Sequence, residues 1–170
     1  MAHVLSRLLT PCLIALPLIS AFPAWALQPA KDKVVLTISG KISEKNAGNT
    51  AVFDLAMLEK LPQKSFTTKT PWDTHPIKFS GPLFRDVLTA VKATGSTIKA
   101  IALDDYTTSI PMGDTKKYDV ILATRMNGEL IPIRSKGPLF IVYPFDSQAE
   151  LRSVQYFERA AWQLKSLAVE

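Results

Sequence analysis

The chain has 170 residues, with 20 Lys and Arg against 15 Asp and Glu, which gives a formal net charge of +5. The basic residues are spread along the sequence instead of forming one run, and this argues against a nucleic-acid-binding protein. The only cysteine is Cys12, so the sequence excludes both a disulfide framework and a cysteine-rich metal site.

The first 26 residues read as a secretory signal peptide. Arg7 supplies the positive charge, residues 8–22 are apolar, and residues 24–26 form an A-x-A cleavage site. Cleavage there leaves 170 − 26 = 144 residues, the length of one ordinary domain. We therefore expect a periplasmic protein whose single domain covers residues 27–170. No later run is apolar enough to predict a transmembrane segment.

The first half of that domain shows short strands and helices in alternation. Residues 34–39 predict a strand, and Asp54 is placed to cap a short helix that Pro62 ends. Residues 65–70 are threonine-rich and compatible with a strand. Pro82 occupies the position of a first helical residue, and the apolar residues after it have helical spacing. This second helix is expected to end at Gly95.

The second half is richer in strand signals. Residues 98–103 and 107–111 predict two strands, joined by a turn at Asp104 and Asp105. Asn127-Gly128 lies between apolar runs and indicates a hairpin, because both central residues of its turn need a positive φ. The C-terminal segment at 151–170 is ambiguous, because its apolar residues fit both a helix and a strand. We expect a short helix at 153–159 and a final strand at 162–169. Many short strands with a few short helices indicate an α+β fold with mixed and antiparallel sheets.

Several short motifs, in this order, resemble the sulfite oxidase-like family, the oxidoreductase molybdopterin-binding domain. They are the leucine-rich helix with its proline at 55–62, FSGPLFRDVL at 79–88, DDY at 104–106, and the Asn-Gly and Gly-Pro-Leu unit at 127–144. The tail at 156–167 resembles that of short exported members. The resemblance covers roughly residues 34–169 and implies the molybdopterin-binding fold.

The chain departs from this family at the position that matters most for redox chemistry. The resemblance implies a cysteine thiolate that holds molybdenum, on the strand that corresponds here to residues 66–72. That stretch contains threonines, Thr68 among them, and no thiol. A neutral, hard hydroxyl does not replace a soft thiolate. Lys136 also stands where a histidine is common, and Phe140 where an arginine is common.

The resemblance and the residue types together give a set of candidate ligand-binding residues. Tyr106 has a phenol that can donate to an oxyanion, and Trp72 has a ring that can stack on a ligand. His75 is the only histidine of the mature chain, so a histidine-based metal site is not expected. For most of these side chains a purely structural role stays open. The full set is Thr68, Trp72, His75, Arg85, Tyr106, Arg125, Arg134 and Lys136.

Three functional hypotheses follow, the last of which is a structural interaction domain that binds no ligand. In the first, the chain is a non-catalytic periplasmic module that binds a small ligand, anionic in one version, or a periplasmic or membrane sensor protein. This hypothesis expects no cofactor, no metal ligand and no catalytic residue. In the second, the chain is a molybdopterin-dependent oxidoreductase of sulfite oxidase type with a non-cysteine metal environment. The missing thiol favours the first hypothesis.

Overall fold

The computed structural model describes residues 27–170, so the predicted signal peptide lies outside the described residues. This region contains eleven strands, four short α-helices and one 3-10 helix. The strands are β1 (Val34–Gly40), β2 (Ala51–Asp54), β3 (Gln63–Thr68), β4 (Ile77–Pro82), β5 (Thr97–Ala102), β6 (Thr107–Pro111), β7 (Ile121–Ala123), β8 (Arg125–Met126), β9 (Glu129–Leu130), β10 (Phe140–Val142) and β11 (Leu164–Val169). The helices are α1 (Leu55–Lys60), α2 (Phe84–Ala90), α3 (Met112–Lys117) and α4 (Val154–Arg159), and the 3-10 helix is Ala149–Leu151.

The strands form three sheets. The largest has the order β2-β1-β11-β5-β6, so the last strand of the chain lies in its middle. There β11 is parallel to β1 and antiparallel to β5. A four-stranded sheet has the order β3-β4-β8-β9, and β7 pairs with β10 as a separate ribbon. Mixed sheets with short helices confirm the predicted α+β class.

The Asn-Gly hairpin is confirmed, although its strands are shorter than the apolar runs suggested. Asn127 has φ 50° and Gly128 has φ 91°. The turn joins β8 to β9, with Arg125 opposite Leu130. The apolar run before it pairs elsewhere, because β7 is buried against β10 at the centre of the molecule. Burial of both faces, rather than proximity along the chain, decides the partner of β7.

The first helix is capped as the sequence predicts. Asp54, which is 2% exposed, accepts a hydrogen bond of 2.8 Å from the Met57 amide. Its second carboxylate oxygen accepts from the amides of Lys31 and Asp32. Burial raises the pKa of Asp54, but the three backbone donors outweigh it and leave this pKa below 3.8.

The second helix begins later than predicted and ends earlier. Pro82 is the last residue of β4, and the helix runs from Phe84 to Ala90 with Val91 as its C-cap. The prediction for Pro82 is wrong because β4 continues to pair with β3 up to that residue. The predicted apolar face is confirmed, since Phe84 and Val87 are fully buried.

Three elements had no clear signal in the sequence. β2 follows a polar, turn-rich segment, β4 contains a glycine and a proline, and α3 contains Gly113. Each forms because a neighbour supplies hydrogen bonds or a buried surface. β4, for example, is held between β3 and β8. Tertiary contacts of this kind override weak local preferences.

One hydrophobic core joins the three sheets. It includes Leu36 from β1, Phe79 from β4, Ile121 from β7 and Leu167 from β11, each 1% exposed or less. Gly81 lets β4 approach β7 closely, because a Cβ at this position would collide with the Leu122 carbonyl. Within residues 27–170, no helix has the length and apolar character needed to cross a membrane.

Candidate functional site

An apolar cavity of about 310 Å³ opens where the end of the large sheet meets α4. Trp72, from the loop after β3, forms one wall. The β5–β6 turn supplies Asp104 and Tyr106, and α4 with the residues after it supplies Phe157, Glu158 and Trp162. The volume is at the lower end of the range of about 300–1,000 Å³ for small-molecule pockets. The cavity therefore has the dimensions of a small-ligand site.

Aromatic rings hold the shape of this cavity. The Trp72 and Trp162 rings are perpendicular, with centroids 4.9 Å apart, and Phe157 meets Trp72 edge-on at 6.4 Å. Trp72 also contacts Phe140 of the core at 6.2 Å. Such pairs contribute about 0.5–1.5 kcal/mol each beyond area burial. Even so, Trp72 remains 40% exposed, so part of its surface faces the opening.

Tyr106 closes the cavity from the side of the sheet. The turn before it places Asp105 at φ 66°, and the Tyr106 amide donates to the Asp104 carboxylate at 3.0 Å. The phenol donates to the backbone carbonyl of Glu158 at 2.8 Å. This bond joins the β5–β6 turn to α4 and occupies the hydroxyl proton that the sequence suggested for an oxyanion.

Two buried threonines before Trp72, one at the end of β3 and one in the loop after it, form internal hydrogen bonds. Thr68 is 1% exposed, and its hydroxyl accepts from the Asp146 amide at 3.1 Å. Thr70 is 2% exposed, and its hydroxyl donates to Asp73 at 2.6 Å. Both hydroxyls fix the loop that carries Trp72, and neither side chain lines the cavity.

Lys136 lies behind this loop in a partly buried ion pair. Its ammonium is 2.6 Å and 2.8 Å from the two carboxylate oxygens of Asp73. It is also 5.9 Å from the Phe140 ring centroid. Burial raises the pKa of Asp73, but hydrogen bonds from Lys136 and Thr70 lower it more, so it stays below 3.8. The charge of Lys136 is thus balanced within the protein.

The other candidate residues lie apart from the cavity. His75 is exposed and contacts the Thr74 hydroxyl at 2.8 Å. Arg85 pairs with Asp119 at 2.8 Å, and Arg125 pairs with Glu59 at 2.7 Å. Arg134 is exposed in the loop before β10. Of the eight candidates, the structure brings Trp72 and Tyr106 to one cavity, and Lys136 is indirectly connected to it through Phe140.

The contribution of α4 to the site was missed by the sequence analysis. The C-terminal segment that contains Phe157, Glu158 and Trp162 gives an ambiguous secondary-structure pattern in the sequence. Its two aromatic residues are nevertheless of the kind that line pockets. An aromatic residue in a polar terminal helix was the available signal. Trp72, which contacts Phe157 and Trp162, is distant from them in the sequence and becomes their neighbour only in the folded chain.

A buried polar network anchors α4 from its other side. Arg159 is 2.8 Å from the carboxylate of Asp114 in α3, and the Tyr143 hydroxyl donates to the same oxygen at 2.8 Å. Burial, followed by the adjacent Asp114 charge, raises the pKa of Tyr143 well above its ordinary value. Tyr156 contributes its ring to Arg159 at 5.2 Å. The network holds α4 in a fixed position against the rest of the domain.

Comparison with known proteins supports the family suggested by the motifs. The sequence model of the family described as the oxidoreductase molybdopterin-binding domain matches residues 28–158 of this chain. The chain belongs to this family. Among solved structures, the sulfane dehydrogenase SoxCD from Paracoccus pantotrophus matches with a TM-score of 0.60 and 19% identity over 79% of this chain. The chain covers 37% of that structure's chain, and at this identity the likeness concerns the fold. Comparison with curated protein sequences gave no match.

Membership of the molybdopterin-binding family raises the question of whether this chain's residues fit the cofactor. The segment in which the family resemblance implies a metal thiolate offers Thr68 and Thr70, whose buried hydroxyls already have protein partners. Residues 27–170 contain no cluster of three His, Cys, Asp or Glu side chains suited to a metal ion. Of the candidate cations that could meet a pterin phosphate, Lys136, Arg85 and Arg125 are paired with Asp73, Asp119 and Glu59, and Arg134 is exposed. This donor set does not fit a molybdenum centre of the thiolate type.

Proposed function

We propose that this molybdopterin-binding-domain protein is a non-catalytic, exported binding module that takes a small ligand in the aromatic cavity. The observation that carries this proposal is that the threonines and the tryptophan in residues 68–73 have different roles. The threonine hydroxyls are committed to internal hydrogen bonds, while Trp72 lines a ligand-sized cavity. The loop is built to position an aromatic wall.

Three properties of the cavity favour a binding function over a redox function. It is concave and mostly apolar, as ligand pockets are. Its walls come from elements fixed by independent contacts, namely the Tyr106–Glu158 bond and the Arg159–Asp114 pair. The carboxylates that line it, Asp104 and Glu158, are exposed rather than buried next to a reactive group. Catalytic carboxylates are commonly buried in a cleft, and these two are not.

The test begins with the metal and pterin content of protein exported by a host that makes the cofactor. A thiol-containing member of the family, exported by the same host, controls for cofactor supply. We expect neither molybdenum nor pterin in folded protein. Near-stoichiometric amounts of both would overturn the proposal and support the oxidoreductase hypothesis, to which the family assignment lends weight.

Ligand binding can be followed by intrinsic fluorescence. The chain has three tryptophans, of which Trp25 lies in the predicted signal peptide and both Trp72 and Trp162 line the cavity. A small molecule that enters the cavity is expected to change the emission of the exported protein. Trp72→Phe and Trp162→Phe, tested separately, assign the change to one ring, and an emission that no small molecule alters in the unsubstituted protein would count against binding in the cavity.

Periplasmic localisation remains part of the proposal. It is supported by the charge, apolar core and A-x-A site of the first 26 residues. We expect cell fractionation to place the protein in the periplasm and N-terminal sequencing to begin at Leu27. A periplasmic or membrane sensor protein as partner also stays a prediction.

A further inference from the structure

The charged groups at the aromatic cavity have one sign. Asp104 and Glu158 line it, and no lysine or arginine from the described part of the chain does so. Neither carboxylate takes part in a salt bridge between residues 27 and 170. This is the reverse of the whole chain, whose net charge is +5. The local environment therefore favours a cation, although the overall charge suggests an anion.

The hydroxyl and ammonium groups at or near the cavity that could bind an anion already have partners within the protein. The Tyr106 hydroxyl donates to the Glu158 carbonyl at 2.8 Å. Lys136, the cation behind the Trp72 loop, is held by both oxygens of Asp73. Lys165, near the turn, is 2.6 Å from Asp105. An anion in the cavity would lose its hydration and meet two carboxylates in exchange.

The aromatic rings that line the cavity can attract an organic cation. Trp72, Tyr106, Phe157 and Trp162 line a single cavity, and aromatic rings attract cations through the negative potential of their faces. Several rings around one space, with a carboxylate at the edge, are the usual arrangement for quaternary ammonium groups.

We infer that the aromatic cavity binds a small organic cation with a methylated or alkylated ammonium group. This inference rests on the proposed binding function and specifies the ligand class of the same site. The rings would surround the ammonium, and Asp104 and Glu158 would provide a long-range attraction that salt weakens.

The experiment compares two probes of the same shape. Choline carries the quaternary ammonium, and 3,3-dimethyl-1-butanol replaces its nitrogen by carbon. Both are titrated into the exported protein while tryptophan emission is recorded. We expect saturable binding of choline and binding of the neutral probe that is weaker by about tenfold. Sulfite, titrated at the same ionic strength, is expected to give no saturable change.

Variants assign the charge effect to the cavity. Asp104→Asn and Glu158→Gln are expected to weaken choline binding by about threefold each and to leave binding of the neutral probe unchanged. Glu129→Gln, an exposed carboxylate in β9, serves as the matched control and should change neither. Circular dichroism confirms that each variant is folded.

The outcomes separate the two proposals. Equal binding of both probes would overturn the ammonium inference and leave the binding function standing. Saturable binding of sulfite without choline would overturn the inference in favour of an anion. A lack of response to every probe would also overturn it, while the molybdenum and pterin measurement decides independently between the binding module and the oxidoreductase.

Discussion

Thr68 and Trp72 show how function depends on the partners of single residues. A threonine hydroxyl in a strand end could face a ligand, but Thr68 instead accepts from the Asp146 amide and joins two distant segments. Trp72, four residues later, keeps 40% of its surface exposed at the cavity. The same loop thus contains one residue that stabilises it and one that meets solvent.

Asp54 is a residue whose charge contributes to stability in a defined pH range. Its pKa is lowered in the folded state, so its contribution is complete above pH 3.8 and is lost as pH falls through the folded-state value. Asp54→Ala is expected to reduce the free energy of unfolding by about 1–3 kcal/mol at pH 7, since three backbone amides lose their acceptor.

Urea denaturation at pH 7 and pH 3 checks this prediction. The difference between the wild type and Asp54→Ala should be smaller at pH 3, which lies below the ordinary pKa of 3.8, because protonation of this carboxylate in the unfolded chain then favours unfolding. Glu129→Ala, at an exposed position, provides the control and should have little effect at either pH. An equal loss at both pH values would show that the carboxylate charge does not contribute.

At the scale of elements, α4 forms a wall of the cavity although it has only six residues. So short a helix is not stable alone, because nucleation is unfavourable. Its position depends on Arg159, which reaches Asp114, and on the Tyr106 hydroxyl bond to Glu158. The cavity is therefore only as well ordered as the contacts that fix this helix.

The two exposed glycines Gly128 and Gly113 make a matched pair for a test of element stability. A Cβ at either position meets no atom within 4 Å, so packing does not distinguish them. Gly128 has φ 91° in the hairpin turn, and Gly128→Ala should cost about 1–2 kcal/mol of backbone strain. Gly113 lies in α3, and Gly113→Ala should stabilise by about 0.5–1 kcal/mol.

Thermal unfolding of both variants gives the result directly. The melting temperature should fall for Gly128→Ala and rise for Gly113→Ala. Effects of the same sign would mean that the turn does not require a positive φ or that α3 does not behave as a helix in solution.

At the scale of the molecule, the first and last strands lie side by side in the large sheet. β11 pairs in parallel with β1, and Leu167 of β11 belongs to the same core as Phe79 of the four-stranded sheet. Because one core serves all three sheets, we expect the domain to unfold in a single transition.

Leu167→Ala tests this cooperativity. It should lower the free energy of unfolding by about 2–5 kcal/mol, because a fully buried side chain is removed. Transitions followed by tryptophan emission and by far-ultraviolet circular dichroism should still coincide. Ser166→Ala, at a half-buried position on the same strand, should change stability by less than about 0.5 kcal/mol. Separate transitions would instead indicate that the sheets unfold independently.

Much of the fold was predictable because its signals are local. The cap at Asp54, the positive φ at Asn127 and Gly128, and the apolar face of α2 each depend on residues within a few positions of one another. β4 was not predictable in the same way. It contains Gly81 and Pro82 and forms because β3 and β8 offer it hydrogen bonds from distant parts of the chain.

The candidate site was likewise predictable only in part. The sequence by itself determined the fold family, through motifs whose order survives without any knowledge of contacts, and it singled out Trp72 and Tyr106. Only the tertiary structure decided that these two meet Trp162 at one cavity and that Lys136 is neutralised by Asp73. Composition fixes which charges and rings exist, but their neighbours depend on chain segments up to 90 residues apart, from Trp72 to Trp162, that only folding brings together.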